Sequence, residues 1–213
     1  MIKAIIFDFD GVIAESMDIK ADGFAYLFKD YPDKVKKIVE YHMTHGGMPR
    51  MEKFSNIYKL FLGKEITEPE KQELSREFTG FVYNKVVSCP YVKGAKEFIE
   101  KYSNKYKMFV VSGTPDNEIK AIVEARGLEK YFTEILGSPL KKNELNRNIL
   151  AKYGLKPEET VFIGDSVDDY DGVKGTGIIF IFRKTKPEDA VPGKPAAVIT
   201  DLTVLEQILN DTI

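Results

Sequence analysis

The feature that most constrains the fold is an apolar run near the N-terminus that leads directly into two acidic residues. Residues 4–9 are rich in isoleucine and phenylalanine, which predicts a buried β-strand. Asp8 and Asp10 stand at its end, one residue apart, and Gly11 follows them. Such a strand end is either an ordinary Asp-Gly turn or a binding site, because buried carboxylates need a group that neutralises them. The choice depends on whether complementary groups occur later in the chain.

The composition excludes several classes of protein. Of 213 residues, 43% are apolar and 30% charged, which is typical of a soluble globular protein. A net charge of −2 gives no field that would attract a nucleic acid or an anionic membrane, so neither is expected as a partner. Cys89 is the only cysteine, which fits a reducing compartment. No apolar run approaches the ~20 residues that span a bilayer, and the N-terminus lacks the layout of a signal peptide. We therefore expect a cytoplasmic protein.

The order of predicted elements indicates an α/β fold. Residues 16–87 carry helical periodicity without a strand signal, whereas strands and helices alternate from residue 90 onward. The later strands are predicted at 108–111, 134–136, 161–163, 178–182 and 197–199. Apolar strands that alternate with helices favour a Rossmann-like parallel sheet covered on both faces. Since the first strand belongs with this sheet, we expect an α/β core of residues 1–15 and 88–213 with an inserted helical cap of residues 16–87.

Complementary chemistry follows two further strands. Ser112 comes directly after a buried strand and leads into a helix, where backbone N–H groups can bind an anion. Asp165 and Asp169 follow another strand, and carboxylates gathered at one edge of a sheet suit Mg²⁺. Lys142 lies at the start of a helix, where a cation opposes the helix dipole unless it serves an anion. Together these groups predict phosphoryl transfer through a carboxylate nucleophile.

Four motifs in this order give the chain a resemblance to the haloacid dehalogenase superfamily, in the subgroup with a helical cap after the first strand. They are residues 8–12, residues 111–114, a lysine at 141 or 142, and Gly164-Asp165 with a following acid. The resemblance implies that Asp8 attacks phosphorus and becomes an aspartyl-phosphate, while Asp10 acts as acid and then as base. It also implies that Mg²⁺ is held by Asp8, by the carbonyl of Asp10 and by Asp165.

The resemblance extends to the remaining site residues. Asp169 would be a further acid of the metal site, with Asp168 as its competitor. Ser112 and the N–H of Gly113 would bind phosphoryl oxygens, and Thr114 belongs to the same phosphate-binding segment. Lys142 would offset the charge of nucleophile and phosphate, and it is preferred over Lys141 because the sequence that follows resembles the phosphatases of the superfamily.

Two residues distinguish between reactions within the superfamily. Asp10 argues against dehalogenation, which needs no acid for a leaving alcohol. Residues 47–50 resemble the substrate loop of β-phosphoglucomutases, in which the counterpart of Arg50 grips a second phosphate. However, Lys20 stands where those mutases have a histidine, which favours hydrolysis over phosphate return to a sugar. Lys20 is either a contact to an anionic substrate or, as we favour at this point, a solvated helix charge.

The resulting prediction is a Mg²⁺-dependent phosphatase that acts on a small phosphorylated metabolite, similar to phosphoglycolate phosphatases. A phosphosugar mutase and a non-catalytic binding or regulatory protein are the alternatives. His42 and His45 have a spacing that could place both rings on one helix face, but a zinc site would need further ligands that the region lacks. His45 is a candidate for a substrate contact or an ordinary surface histidine. Neither the substrate nor the oligomeric state follows from the sequence.

Overall fold

The computed structural model describes residues 1–211, and its centre is one parallel β-sheet. Within these residues the sheet has six strands in the order β3-β2-β1-β4-β5-β6, and every neighbouring pair is parallel. The strands are β1 (Ala4–Phe7), β2 (Lys107–Pro115), β3 (Glu134–Ser138), β4 (Thr160–Gly164), β5 (Ile179–Arg183) and β6 (Ala197–Ile199). The predicted α/β class and its Rossmann-like parallel sheet are confirmed.

Nine α-helices are present in the same residues. They are α1 (Met17–Leu27), α2 (Val35–Thr44), α3 (Arg50–Ile57), α4 (Glu68–Ser88), α5 (Ala95–Tyr102), α6 (Asp116–Ala125), α7 (Lys142–Tyr153), α8 (Val167–Val173) and α9 (Leu205–Asp211). The first four form the helical segment between β1 and the rest of the sheet. No helix of the described residues is long and apolar enough to cross a membrane.

The register of the central strands places three chain segments at one edge of the sheet. Phe7 of β1 pairs with Val110 of β2 on one side and with Ile163 of β4 on the other. The residues that follow each of them therefore emerge side by side at the carboxyl edge. β1 is fully buried, but it ends at Phe7 rather than at residue 9 as predicted. The chain turns there because Ile13 and Ala14 donate backbone hydrogen bonds to the Phe9 carbonyl.

Capping residues mark helix ends in the helical segment. Thr67 and Glu70 form a reciprocal capping box at the start of α4. Gly63 ends the preceding helix in the left-handed conformation. The last turn of that helix, Tyr58–Leu62, is a π-helix rather than the α-helix expected there.

The helices of this segment pack around aromatic side chains. The buried ones are Phe24, Phe28, Phe54 and Phe78, whereas Tyr58, Phe61 and Phe81 are only partly buried. The segment lies over the carboxyl edge of the sheet, since a Cβ built on Gly113 would come within 2.6 Å of the Gly47 carbonyl oxygen. The domain boundaries at residues 16 and 87 stay a prediction.

Candidate active site

The two aspartates after β1 have separate surroundings although one residue divides them. Asp8 Oδ1 accepts a hydrogen bond from the Phe9 N–H at 2.8 Å and lies 3.1 Å from Lys142 Nζ. The Asp10 carboxylate instead accepts from Ser16 Oγ at 2.6 Å and from Lys20 Nζ. Both acids are buried. The pair therefore offers two carboxylates that can perform different tasks.

The pKa values of Asp8 and Asp10 are shifted in opposite directions by these surroundings. Burial raises the pKa of Asp8 to about 7, and the ammonium of Lys142 only partly opposes this effect. Burial would also raise the pKa of Asp10, but the ammonium of Lys20 outweighs it and holds that pKa below the ordinary value. Asp10 is thus stabilised as an anion by its own partner, whereas Asp8 lacks sufficient positive charge.

Asp8, Asp165 and Asp169 form a carboxylate cluster that can hold a cation. One oxygen from each lies within 4.8 Å of the others. Burial, together with the nearby charges of Asp169 and Asp8, raises the pKa of Asp165 well above its ordinary value. Asp165 Oδ1 is buried and has no hydrogen-bond partner among the described residues. A buried carboxylate oxygen that accepts no hydrogen bond is available to coordinate a cation. These residues therefore fit a divalent cation with oxygen ligands.

Gly11 allows the chain segments that follow β1 and β4 to approach each other closely. Its φ is +75°, in the left-handed region, and a Cβ at this position would overlap Asp165 Oδ2. A glycine at position 11 is therefore required for Asp165 to lie beside the strand end that carries Asp8.

Asp169, rather than Asp168, belongs to the cluster. Asp169 is fully buried, and its Oδ2 accepts from the N–H groups of Asp165 and Ser166 and from Ser166 Oγ. Its Oδ1 accepts from Lys142 Nζ at 2.5 Å. Asp168 points away from the cluster, with its Oδ1 3.6 Å from His45 Nδ1. Both oxygens of Asp169 are engaged by donors of the protein, so Asp169 fixes the loop around Asp8 and Asp165.

The structure also distinguishes the two adjacent lysines. Lys142 is buried and pairs with both Asp8 and Asp169. Burial alone would lower the pKa of Lys142, but these two carboxylates raise it above its ordinary value. Lys141 is exposed and pairs with Glu52 at 3.1 Å. The preference for Lys142 as the lysine that faces the site agrees with this placement.

The phosphate-binding segment lies at the end of β2. Ser112 and Thr114 are buried, and the Thr114 N–H donates to Ser112 Oγ at 3.1 Å. Thr114 Oγ1 donates to Asp10 Oδ2 at 3.3 Å, so the segment borders the second aspartate. Gly113 is covered by the loop at Gly47, and a Cβ on Gly47 would lie 3.0 Å from Lys142 Nζ. This loop therefore closes the site from the helical side.

The interpretation of Lys20 as a solvated helix charge is wrong. Lys20 is buried, and its Nζ donates to Asp10 Oδ2 and to Thr114 Oγ1, the latter at 2.7 Å. The fold brings helix α1 back over the sheet edge, so that the side chain points inward. Lys20 thus connects helix α1 to Thr114 and neutralises Asp10.

Arg50 lies above the site but is already paired with a carboxylate. Its terminal nitrogens donate to the two oxygens of Glu118 at 2.7 and 2.6 Å, and one also donates to Thr79 Oγ1 at 2.9 Å. The guanidinium expected to grip a second phosphate thus connects helix α3 to helix α6 in this structure. Glu118 was not predicted, because an acid in the first turn of a helix is ordinary for helix-dipole reasons.

Lys53 was missed, and His42 was considered only as a possible zinc ligand. His42 and Lys53 are buried beside Lys20, and with Arg50 they border a cavity of about 20 Å³. Residues 50, 53, 54 and 57 share the buried face of α3. Two cations on the buried face of an amphipathic helix are a signal that could have identified this position.

The comparisons with known proteins agree with this geometry. Residues 5–182 match the family model of the haloacid dehalogenase-like hydrolases. A phosphoglycolate phosphatase of Pasteurella multocida is 27% identical over 179 residues, which are 78% of this chain and 79% of that protein. The crystal structure of a predicted phosphoglycolate phosphatase from Haemophilus somnus has a TM-score of 0.75 at 23% identity and covers 98% of both chains. A structure from Bacteroides vulgatus named for β-phosphoglucomutase has a TM-score of 0.80 at 20% identity, with 98% of this chain and 88% of that chain covered.

The chain belongs to the haloacid dehalogenase-like hydrolase family. The structural similarities below 25% identity show the shared fold, whereas the family match shows a hydrolase. The predicted class of enzyme, a phosphoric monoester hydrolase of this family, is confirmed.

Proposed function

We propose that the protein is a Mg²⁺-dependent phosphatase that hydrolyses a small phosphorylated metabolite through an aspartyl-phosphate. The observation that carries this proposal is the division of labour between Asp8 and Asp10. Asp8 faces the carboxylate cluster and Lys142, whereas Asp10 faces Lys20 and Thr114. A nucleophile next to a cation site and an acid–base residue next to a lysine are what phosphomonoester hydrolysis needs.

In the first step, an oxygen of Asp8 attacks phosphorus, and the bond between phosphorus and the leaving oxygen breaks. The leaving oxygen takes a proton that Lys20 first gives to the Asp10 carboxylate and that Asp10 then passes on. In the second step, Asp10 takes a proton from water, and the water oxygen attacks phosphorus and releases Asp8. The proton that Asp10 takes from water in the second step returns to Lys20 and restores the ammonium.

The cation site supports the same proposal. Asp8 and Asp165 would hold Mg²⁺, with Asp169 fixing the loop, and the carbonyl of Asp10 is the further ligand that the family resemblance implies. When bound, Mg²⁺ neutralises charge on the nucleophile and on the phosphoryl oxygens. The raised pKa values of Asp8 and Asp165 support a site that needs a divalent cation.

The phosphoryl group would lie between Lys142, Ser112 and the N–H of Gly113. The loop at Gly47 covers this position and excludes bulk water. Residues 16–87 would act as a cap that closes over the core of residues 1–15 and 88–213. The Pasteurella multocida relative is named phosphoglycolate phosphatase, and we propose a small phosphorylated acid or sugar as substrate.

A phosphate-release assay with and without Mg²⁺ tests this proposal. The parent protein should release phosphate from 2-phosphoglycolate or from another small phosphomonoester, and excess EDTA should abolish that release. An Asp8→Asn variant should lose at least about 10³-fold in kcat, whereas Asp18→Asn, at an exposed position, should retain the parent rate. Equal rates for the parent and Asp8→Asn would contradict the proposal.

A phosphosugar mutase is the second candidate, because the loop of residues 46–50 lies over the site as the resemblance to mutases requires. Lys20 in place of the mutase histidine and the pairing of Arg50 with Glu118 argue against it. A mutase would convert one hexose phosphate into another in the presence of a sugar bisphosphate with little release of phosphate. A non-catalytic protein would do neither.

A further inference from the structure

Lys53 is a buried cation that lacks an anionic partner. It lies on α3 with 3% of its surface exposed, and its Nζ is 3.1 Å from His42 Nδ1 and 3.4 Å from the Gly46 carbonyl oxygen. Among residues 1–211, no carboxylate oxygen lies within the 4.0 Å of an ion pair with it. Burial therefore lowers the pKa of Lys53 to about 7, and the more distant Asp168 opposes this effect only in part. A buried ammonium without a carboxylate is costly unless a ligand supplies the negative charge.

His42 provides a second, independent indication of a ligand. Its ring stacks on Phe24 with centroids 4.3 Å apart, and 2% of the residue is exposed. Burial and the charge of Lys53 lower the pKa of His42 well below its ordinary value, so the ring is neutral. When Lys53 is protonated it has only donors, so Nδ1 of His42 accepts from it and the ring proton is on Nε2. Nε2 is buried and has no partner among the described residues, so it is an unused donor.

Both groups border the small cavity between the cap and the phosphate-binding segment. The cavity holds about 20 Å³ and also touches Gly113 and Thr114. Its other two cations are neutralised within the protein, Lys20 by Asp10 and Arg50 by Glu118. The charge left for a ligand is that of Lys53, and this single positive charge matches the single negative charge of a carboxylate.

We propose that Lys53 and His42 bind a carboxylate on the substrate, so that the enzyme selects phosphomonoesters that carry a carboxylate a few bonds from the phosphorus. This inference rests on the proposed phosphatase function for its biological meaning. It adds that two donors of the cap, Lys53 Nζ and His42 Nε2, recognise the negative charge of the leaving group. Esters of neutral alcohols leave the charge of Lys53 without a counter-charge and the Nε2 donor of His42 without a partner, which disfavours their binding.

A pair of non-hydrolysable ligands tests the subsite without any need for turnover. 3-Phosphonopropionate carries the carboxylate, and propylphosphonate has the same chain length without it. In calorimetric titrations with Mg²⁺, the parent should bind the first at least about 30-fold more tightly, since hydrogen bonds to a charged group typically contribute 10- to 100-fold. Lys53→Met keeps the length of the side chain, and it should reduce this ratio to about 3-fold.

Matched controls separate a specific effect from a loss of folding. Lys59→Met removes an exposed lysine of the same region, and the ratio should stay at the parent value. His42→Phe preserves the stacking on Phe24 and should reduce the ratio by about 5-fold or more, which provides a second variant if Lys53→Met folds poorly. Lys53→Arg keeps the charge and should restore part of the ratio.

The outcomes distinguish this subsite from the proposed function. A parent ratio near 1, or an equal ratio in the parent, Lys53→Met and His42→Phe, would overturn the subsite. Tighter binding of propane-1,3-bisphosphonate than of 3-phosphonopropionate would show that the second group is a phosphate, and would overturn the carboxylate assignment. If the ligand ratios behave as expected but no phosphomonoester is hydrolysed, the subsite stands and the phosphatase proposal fails.

Discussion

Replacing Asp8 by asparagine should stabilise the metal-free protein while it abolishes activity. Asparagine keeps an oxygen that can accept from the Phe9 N–H and from Lys142, but it carries no charge. The folded protein raises the pKa of Asp8 from 3.8 to about 7, chiefly through burial. Its ionisation therefore opposes folding, because the unfolded chain releases that proton more readily.

The magnitude follows from these two pKa values. A pKa above the unfolded value contributes stability that is fully present below pH 3.8 and is lost as the pH rises to about 7. At about 1.4 kcal/mol for each pH unit, the loss approaches ~4 kcal/mol at pH 8 and is only ~1 kcal/mol near pH 4.5. In a chain of this length, 1 kcal/mol moves the melting temperature by about 2–4 °C. Water entry and local relaxation reduce the effect, so we expect a gain of roughly 5–15 °C at pH 8.

Thermal melts followed by circular dichroism in EDTA measure this gain. The parent, Asp8→Asn and the exposed control Asp18→Asn are compared at pH 4.5 and pH 8. The gain of Asp8→Asn should be small at the lower pH and large at the higher pH, and Mg²⁺ at pH 8 should stabilise the parent more than the variant. An Asp8→Asn protein that melts at or below the parent temperature in EDTA at pH 8 would refute the interpretation of the acidic cluster as a cation site.

Two further predictions concern cations that the structure pairs with acids. Glu118→Gln leaves the buried guanidinium of Arg50 with a neutral partner. Urea unfolding should show that the free energy of unfolding falls by about 3 kcal/mol. A decrease below ~0.5 kcal/mol would show that the ion pair contributes little to stability. Lys142→Met should lower kcat for phosphate release by at least about 10²-fold, because it removes the ammonium between Asp8 and Asp169. The control Lys141→Met removes an exposed lysine and should change kcat by less than about twofold. Similar losses in both lysine variants would contradict this assignment.

The parts of the site that belong to the sheet could be predicted from the sequence. Strands such as β1 and β4 are short apolar runs, and parallel pairing carries their carboxyl ends to one edge. Asp8 and Asp165 therefore had to lie near each other once the class of fold was recognised. The choice of Asp169 over Asp168 depends on the capping box of α8, in which the Ser166 hydroxyl bonds the residue three positions on.

The parts of the site that belong to the cap could not be predicted in the same way. Whether Lys20 points to solvent or to Asp10 depends on how helix α1 packs over the sheet, and no local periodicity encodes that packing. Lys53 and His42 meet through the crossing of α2 and α3, which brings together residues 11 positions apart. The partner of Arg50 lies 68 positions away on α6, where an acid near the helix start is common without any partner.

The most direct test of the central claim is to trap the phosphorylated enzyme and locate the modified residue. The parent is mixed with Mg²⁺ and substrate, quenched with borohydride and digested, and the peptides are sequenced by mass spectrometry. Borohydride reduces an acyl phosphate to an alcohol, so an aspartyl-phosphate at position 8 becomes homoserine there. The account predicts homoserine at position 8, dependent on Mg²⁺ and substrate, with Asp10 unmodified. Turnover that leaves Asp8 intact, or homoserine at any other aspartate, would contradict it.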